Sequence, residues 1–301
     1  MAERPLPLRI WRSLRDYAKR VWDNAGEDNI FFLTGGIAFN ILLAAVPFML
    51  LLLSGLGYLL DEDTASASQS VYRFIDNLLP PHDESPGSPI HGLLDDIVQA
   101  RGQVGLIGLL GFVWFSTRLF GSLRTVLAEV FDIEETRGIV GGKLFDVQIT
   151  VVSTVLFAFY SVLNALIGIA TARSAQQLRE TGIEADVISN LTTSFGRAVA
   201  FFFLTLMFFA LYKYLPSRRI RWQSAALAAV FTGVFFELFK VLFTAYLGSF
   251  SPGSLYTGTL YTIVIVVLWV YYSSFFFILG GEVGQVYELR RVRRLQRETF
   301  G

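Results

Sequence analysis

Residues 30 to 60 read IFFLTGGIAFNILLAAVPFMLLLLSGLGYLL, 31 positions from Ile30 to Leu60 without a charged side chain. At 1.5 Å per residue this run exceeds the roughly 30 Å of hydrocarbon in a bilayer, so it is read as a tilted membrane-spanning helix. Pro47 inside it predicts a kink, because proline lacks the amide donor and crowds the preceding turn. Residues 1 to 29 before it are polar and lack the apolar core of a cleaved leader, so this span is expected to stay as an anchor.

Moving outward with a window of about 20 residues, five further spans emerge. They are Val104 to Leu123, Leu144 to Thr171, Ala198 to Leu215, Trp222 to Leu247 and Leu260 to Gly281. The composition agrees: of 301 residues, 53% are apolar and 17% charged, against about 25% charged in an ordinary soluble domain. Mean hydropathy is +0.51. The expected fold class is an all-α integral membrane protein, a bundle of six transmembrane helices with short amphipathic interfacial helices.

Orientation follows from the bases. Seventeen Lys and Arg fall before span 1, between spans 2 and 3, between spans 4 and 5 and after span 6, against four in the other loops. By the positive-inside rule both termini are cytoplasmic. Three regions result: an amphipathic cytoplasmic helix in residues 1–29, a six-span domain over 30–286 and a basic tail over 287–301. Within the domain, residues 61–103 form an acidic outer segment whose apolar positions repeat at helical spacing around Pro80 and Pro81. On the N-terminal helix, Trp11, Leu14, Ala18, Val21 and Trp22 share one face and Arg9, Arg12, Lys19 and Arg20 the other, the pattern of a helix resting on anionic headgroups.

Soluble-type chemistry is missing. The chain has no Cys and only His82 and His91, both in the outer segment, so no thiolate, metal or catalytic site is expected, and no cofactor. Gly141-Gly142 and Gly280-Gly281 lack the Lys-Ser/Thr of a phosphate loop. Net charge is zero, and no nucleic-acid partner is expected.

The informative residues are ionisable groups inside apolar runs, because such a group costs several kcal/mol unless paired or wet. Arg118 lies deep in span 2. Glu237 and Lys240, three apart, share a face of span 5 and read either as a self-neutralised pair or as a coupled site in a wet cavity. Asn40 sits seven residues before Pro47, near backbone carbonyls freed by the kink. Glu282 closes span 6, where it is expected to pair with Arg124 or a loop arginine. Arg118, Glu237, Lys240, Asn40 and Glu282 are therefore the candidate substrate-binding or coupling residues. Arg118 and Lys240 would draw an anionic or amphipathic, lipid-like substrate, and Glu237 would carry a proton. Membrane lipids are the expected partners. The rival reading is a non-transporting envelope protein whose charges only fix helix packing.

Four ordered motifs resemble the YihY/virulence factor BrkB family of bacterial inner-membrane proteins, across about residues 15 to 289. They are Leu33-Thr34-Gly35-Gly36-Ile37-Ala38-Phe39-Asn40 with Pro47-Phe48; Val104-Gly105-Leu106-Ile107-Gly108 leading to Trp114-Phe115-Ser116-Thr117-Arg118; Leu211-Tyr212-Lys213-Tyr214-Leu215-Pro216; and Leu268-Trp269-Val270-Tyr271-Tyr272 through Leu279-Gly280-Gly281-Glu282. Asn40 departs from the aromatic usual after Ala-Phe, and Gly258-Thr259-Leu260 from the family's Tyr-Gly-Ser. The resemblance implies six spans and roles in the envelope, in serum resistance and in movement of lipids or other amphiphiles. The family also carries an older ribonuclease label, against which the residues argue: a metal-dependent phosphodiesterase needs His and Asp ligands on the cytoplasmic side, where none cluster.

Overall fold

A computed structural model describes residues 6–60, 105–134, 138, 140–152, 155, 185–249 and 259–300. The expectations for His82, His91 and the rest of 61–103, and for most of span 3, lie outside these residues. The described residues are helical apart from short turns: α1 (Leu6–Glu27), α2 (Ile30–Leu60), α3 (Gly105–Val130), α4 (140–152), α5 (Ala185–Tyr214), α6 (Trp222–Ser249) and α7 (Thr259–Phe300). α2 has the bounds read from its uncharged run and continues through Pro47.

Among the described residues, Trp222–Leu247 of α6 and Ile263–Thr299 of α7 are each long and apolar enough to cross a membrane. α1 and α2 make a third such unit, bent by 67° between Glu27 and Ile30. Asn29 produces the bend. Its left-handed backbone (φ 50°) ends α1, and its carbonyl accepts the first amides of α2, from Phe32 at 2.8 Å and Leu33 at 3.2 Å. Asparagine tolerates that conformation better than most residues.

α7 is the hub, packed against α1, α2, α3 and α6, while α3 also packs on α2 and α5 on α6. Lipid tails are as apolar as leucine, so helices in a membrane associate through close packing and interhelical hydrogen bonds. The interior reflects this: Ser224, Ala225, Ala228, Ala229 and Thr232 of α6 are fully buried. Opposite them stand Gly280 and Gly284, where an added β-carbon would meet Thr232 Oγ1 and the Ser224 carbonyl oxygen at 1.9 and 2.9 Å. Tyr212, also fully buried, stacks on Phe277 (4.9 Å between centroids) and donates to the Phe277 carbonyl oxygen at 2.5 Å, with Thr232 Oγ1 at 2.7 Å. The exterior is apolar as well, with Phe32, Trp114, Phe202, Val241 and Leu242 all exposed around a core that holds Ile37, Leu127 and Ile278. Large apolar side chains on the outside depart from the pattern of a soluble domain.

α1 separates the stripe that the sequence places on one face. Val21 packs on Val283 and Val286 of α7, with Tyr17 alongside, while Trp11, Leu14 and Trp22 stay at least 60% exposed. The Tyr17 hydroxyl donates to the Val283 carbonyl, and Arg290 lies 4.7 Å over the Tyr17 ring. α1 is thus docked on the bundle through one edge and presents its Trp edge outward.

Candidate functional site

The densest polar arrangement lies where the α1–α2 corner, the end of α3 and α7 converge. α3 stops in a Schellman turn: Asp132 N–H donates to the Glu129 carbonyl (3.0 Å), Ile133 N–H to that of Ala128 (2.8 Å), and Asp132 takes the left-handed conformation (φ 49°) usually filled by glycine. The turn presents the Asp132 carboxylate to α7, where Gln285 Nε2 donates to it at 2.6 Å. Asn24 Nδ2 of α1 donates in turn to Gln285 Oε1 at 3.0 Å. One amide side chain on α7 therefore ties α1 to α3.

Glu282 lies one turn before Gln285, with 0% exposure, and among the described residues no N–H or hydroxyl donor reaches either of its carboxyl oxygens. Its neighbour is another acid, Asp28, at the corner between α1 and α2. Burial pushes the Asp28 carboxyl above its ordinary range; the approach of the Glu282 carboxyl works against this, and the charges of Asp132, Glu129 and Glu27 work with it. On the next turn, Ser224 Oγ of α6 donates to Glu288 at 2.5 Å.

This placement corrects the expected partner of Glu282. Arg124 is bound elsewhere: its Nε lies 3.2 Å from Asp146 of α4, both side chains being nearly or fully buried. Gly121 and Gly142 leave room for the pair, since a β-carbon on Gly142 would sit 2.9 Å from the guanidinium and one on Gly121 3.1 Å from Asp146 Oδ2. The sequence places a base near the end of span 2 and an acid at the start of span 3, but helical spacing alone does not join them.

The other candidates stand apart from this corner. Glu237 and Lys240 bond to each other, at 2.7 and 2.8 Å from the two carboxyl oxygens to Nζ, each about a third exposed. Arg118 projects from the outer face of α3, one turn from the exposed Trp114, while Ser116 and Thr117 turn inward. Among the described residues none forms a hydrogen bond or ion pair with Arg118, and none joins it to the Glu237–Lys240 pair. Arg118 lies about 18 Å along α3 from Val130, and Glu237 about 22 Å along α6 from Trp222. Asn40 donates to the Gly36 carbonyl at 2.8 Å, and its Oδ1 is buried without a partner.

Asp28, Asp132, Asn24, Gln285 and Asp146 were not among the residues singled out from the sequence. For Asp28, Asp132 and Asp146 the available signal was an acid near the edge of an apolar run; Asn24 and Gln285 carry no such mark.

Comparison with known proteins fits a helical membrane protein. The chain is 24% identical over 283 residues to a UPF0761 membrane protein of Pseudoalteromonas atlantica, covering 94% of this chain and 89% of the relative. It is 24% identical over 226 residues to one of Glaesserella parasuis, covering 75% and 74%. A Bacillus subtilis relative named putative ribonuclease-like protein YfkH is 22% identical over 257 residues, covering 85% and 89%. No solved structure matches. The family described as Virulence factor BrkB matches residues 21–299, which takes in the corner, the glycine face of α7 and all five candidate residues, and the chain belongs to that family.

Proposed function

We propose that the protein is a six-span transporter or flippase-like protein of the bacterial inner membrane, with both termini cytoplasmic and an anionic or amphipathic, lipid-like substrate. The observation that carries this reading is Arg118, a cation on an apolar outer face with no partner among the described residues. An arginine so placed either reaches an interface or attracts an anionic group from the surrounding lipid. The test is transbilayer movement of a fluorescent anionic phospholipid in proteoliposomes. Wild-type protein should accelerate it, and Arg118→Ala, at equal incorporation, should abolish the acceleration. Equal rates in the two, or no acceleration by wild type, would remove the reading.

The bond between Glu237 and Lys240 favours a second reading, a non-transporting envelope protein whose charges serve packing. Exchanging the two residues separates the readings: a packing pair tolerates exchange, whereas a path that uses Glu237 for a proton and Lys240 for an anion does not. The name of the Bacillus subtilis relative suggests a nuclease. We do not carry that activity to this chain, because a metal-assisted phosphodiesterase needs a ligand cluster, and among the described residues no three His, Cys, Asp or Glu side chains are grouped to hold a metal.

A further inference from the structure

We infer that Asp28 and Glu282 form a proton-binding site, one proton shared between two carboxyl groups, that holds the α1–α2 corner against α7. The inference stands on geometry and does not depend on what the protein moves. Glu282 is fully buried, among the described residues no N–H or hydroxyl reaches either oxygen, and the group it meets is a carboxyl. Two ionised carboxylates in hydrogen-bond contact repel, and neither can donate; with one proton between them, the same contact becomes a hydrogen bond to a charged acceptor.

The surroundings reinforce this. Glu27 from α1 and Glu129 and Asp132 from α3 act on the corner, and all are acids. Asp132 also acts on Glu282 from across the junction. A metal ion is the other occupant that carboxylates could share, but among the described residues no three His, Cys, Asp or Glu side chains are grouped to hold one. A proton needs only two. The nearby amides bond elsewhere, Asn24 to Gln285 and Gln285 to Asp132, and neither donates to Glu282.

The site has a mechanical consequence. Asp28 lies at the 67° bend, next to Asn29, so loss of the proton places two negative charges across the contact between that bend and α7. The sign of the pH dependence follows. The folded pair keeps one proton more than two free carboxyl groups of an unfolded chain do at neutral pH, so stability is greatest on the acid side and falls as pH rises.

The experiment uses the full chain in lipid nanodiscs, in metal-free buffer at fixed ionic strength, from about pH 5 to about pH 9. Infrared spectroscopy reads the protonated carboxyl C=O band and thermal unfolding reads the midpoint. In wild type the band should persist at neutral pH and the midpoint should fall by several degrees as the band disappears. Glu282→Gln should lose the band and keep a level midpoint. Asp28→Asn removes the neighbouring negative charge without touching α7, and serves if the glutamine variant does not fold; in it the pH-dependent fall in midpoint should be lost or much reduced. No neutral-pH band in wild type, the same band in Glu282→Gln, or a wild-type fall retained in full by Asp28→Asn would each overturn the inference. So would a midpoint at high pH raised by sodium or magnesium ions in wild type and not in Glu282→Gln, which would assign the pair to a metal cation.

Discussion

Gly280 faces Thr232 so closely that a β-carbon on the glycine would lie 1.9 Å from the threonine Oγ1. The same threonine hydroxyl lies 2.7 Å from that of Tyr212, so a close approach of α6 and α7 is also where α5 is tied in by hydrogen bonds. Gly280→Ala should therefore destabilise the protein by about 1–3 kcal/mol, the usual cost of overpacking. Thermal unfolding in detergent measures it, and adding Thr232→Ala, which removes the clashing hydroxyl, should restore part of the loss.

The buried pair of Arg124 and Asp146 predicts an asymmetric mutational response. Asp146→Ala leaves a guanidinium buried between α3 and α4 and should cost about 3–5 kcal/mol, whereas replacing both residues together, Arg124→Met with Asp146→Leu, should cost far less. A double-mutant cycle on unfolding midpoints checks this, and additive losses would mean the pair is not coupled.

Topology is testable directly because the chain has no cysteine. A cysteine at Ser88 should react with an impermeant reagent from outside the cell, and one at Glu298 only after the membrane is opened. The expectation comes from the distribution of Lys and Arg among the loops. Reaction of both positions in intact cells would contradict it.

Detergent-purified protein, with or without divalent metal, should cleave RNA no faster than a mock purification. Metal-dependent cleavage that disappears on changing a residue of this chain would reverse that expectation.

The helices were legible in the sequence because the length of an uncharged run sets how far a helix extends: α2 and the start of α6 at Trp222 fall where hydropathy puts them. Interhelical pairing was not. Asp132 and Gln285 are 153 positions apart, and Arg124 meets Asp146 across a turn. Sequence spacing tells how far along its helix a side chain lies, but not which neighbouring helix its face will meet. Glu237 and Lys240 are the exception, because residues three apart on one helix share a face whatever surrounds them. Glu282 stands out in the sequence as a charge at the end of an apolar run, yet its neighbour Asp28 lies in a two-residue turn that no periodicity marks.

The hydrogen bond from Tyr17 to Val283 joins residues 266 positions apart, which sets an order of events during synthesis. α1 leaves the ribosome before the surface it docks on is made. Until α7 is made, Tyr17, Val21 and Asn24 lack the partners they meet on it, and the exposed edge of Trp11, Leu14 and Trp22 is what can keep α1 at the bilayer surface. Docking of α1 is thereby coupled to synthesis of α7: a chain that stops before α7 lacks the seat for α1.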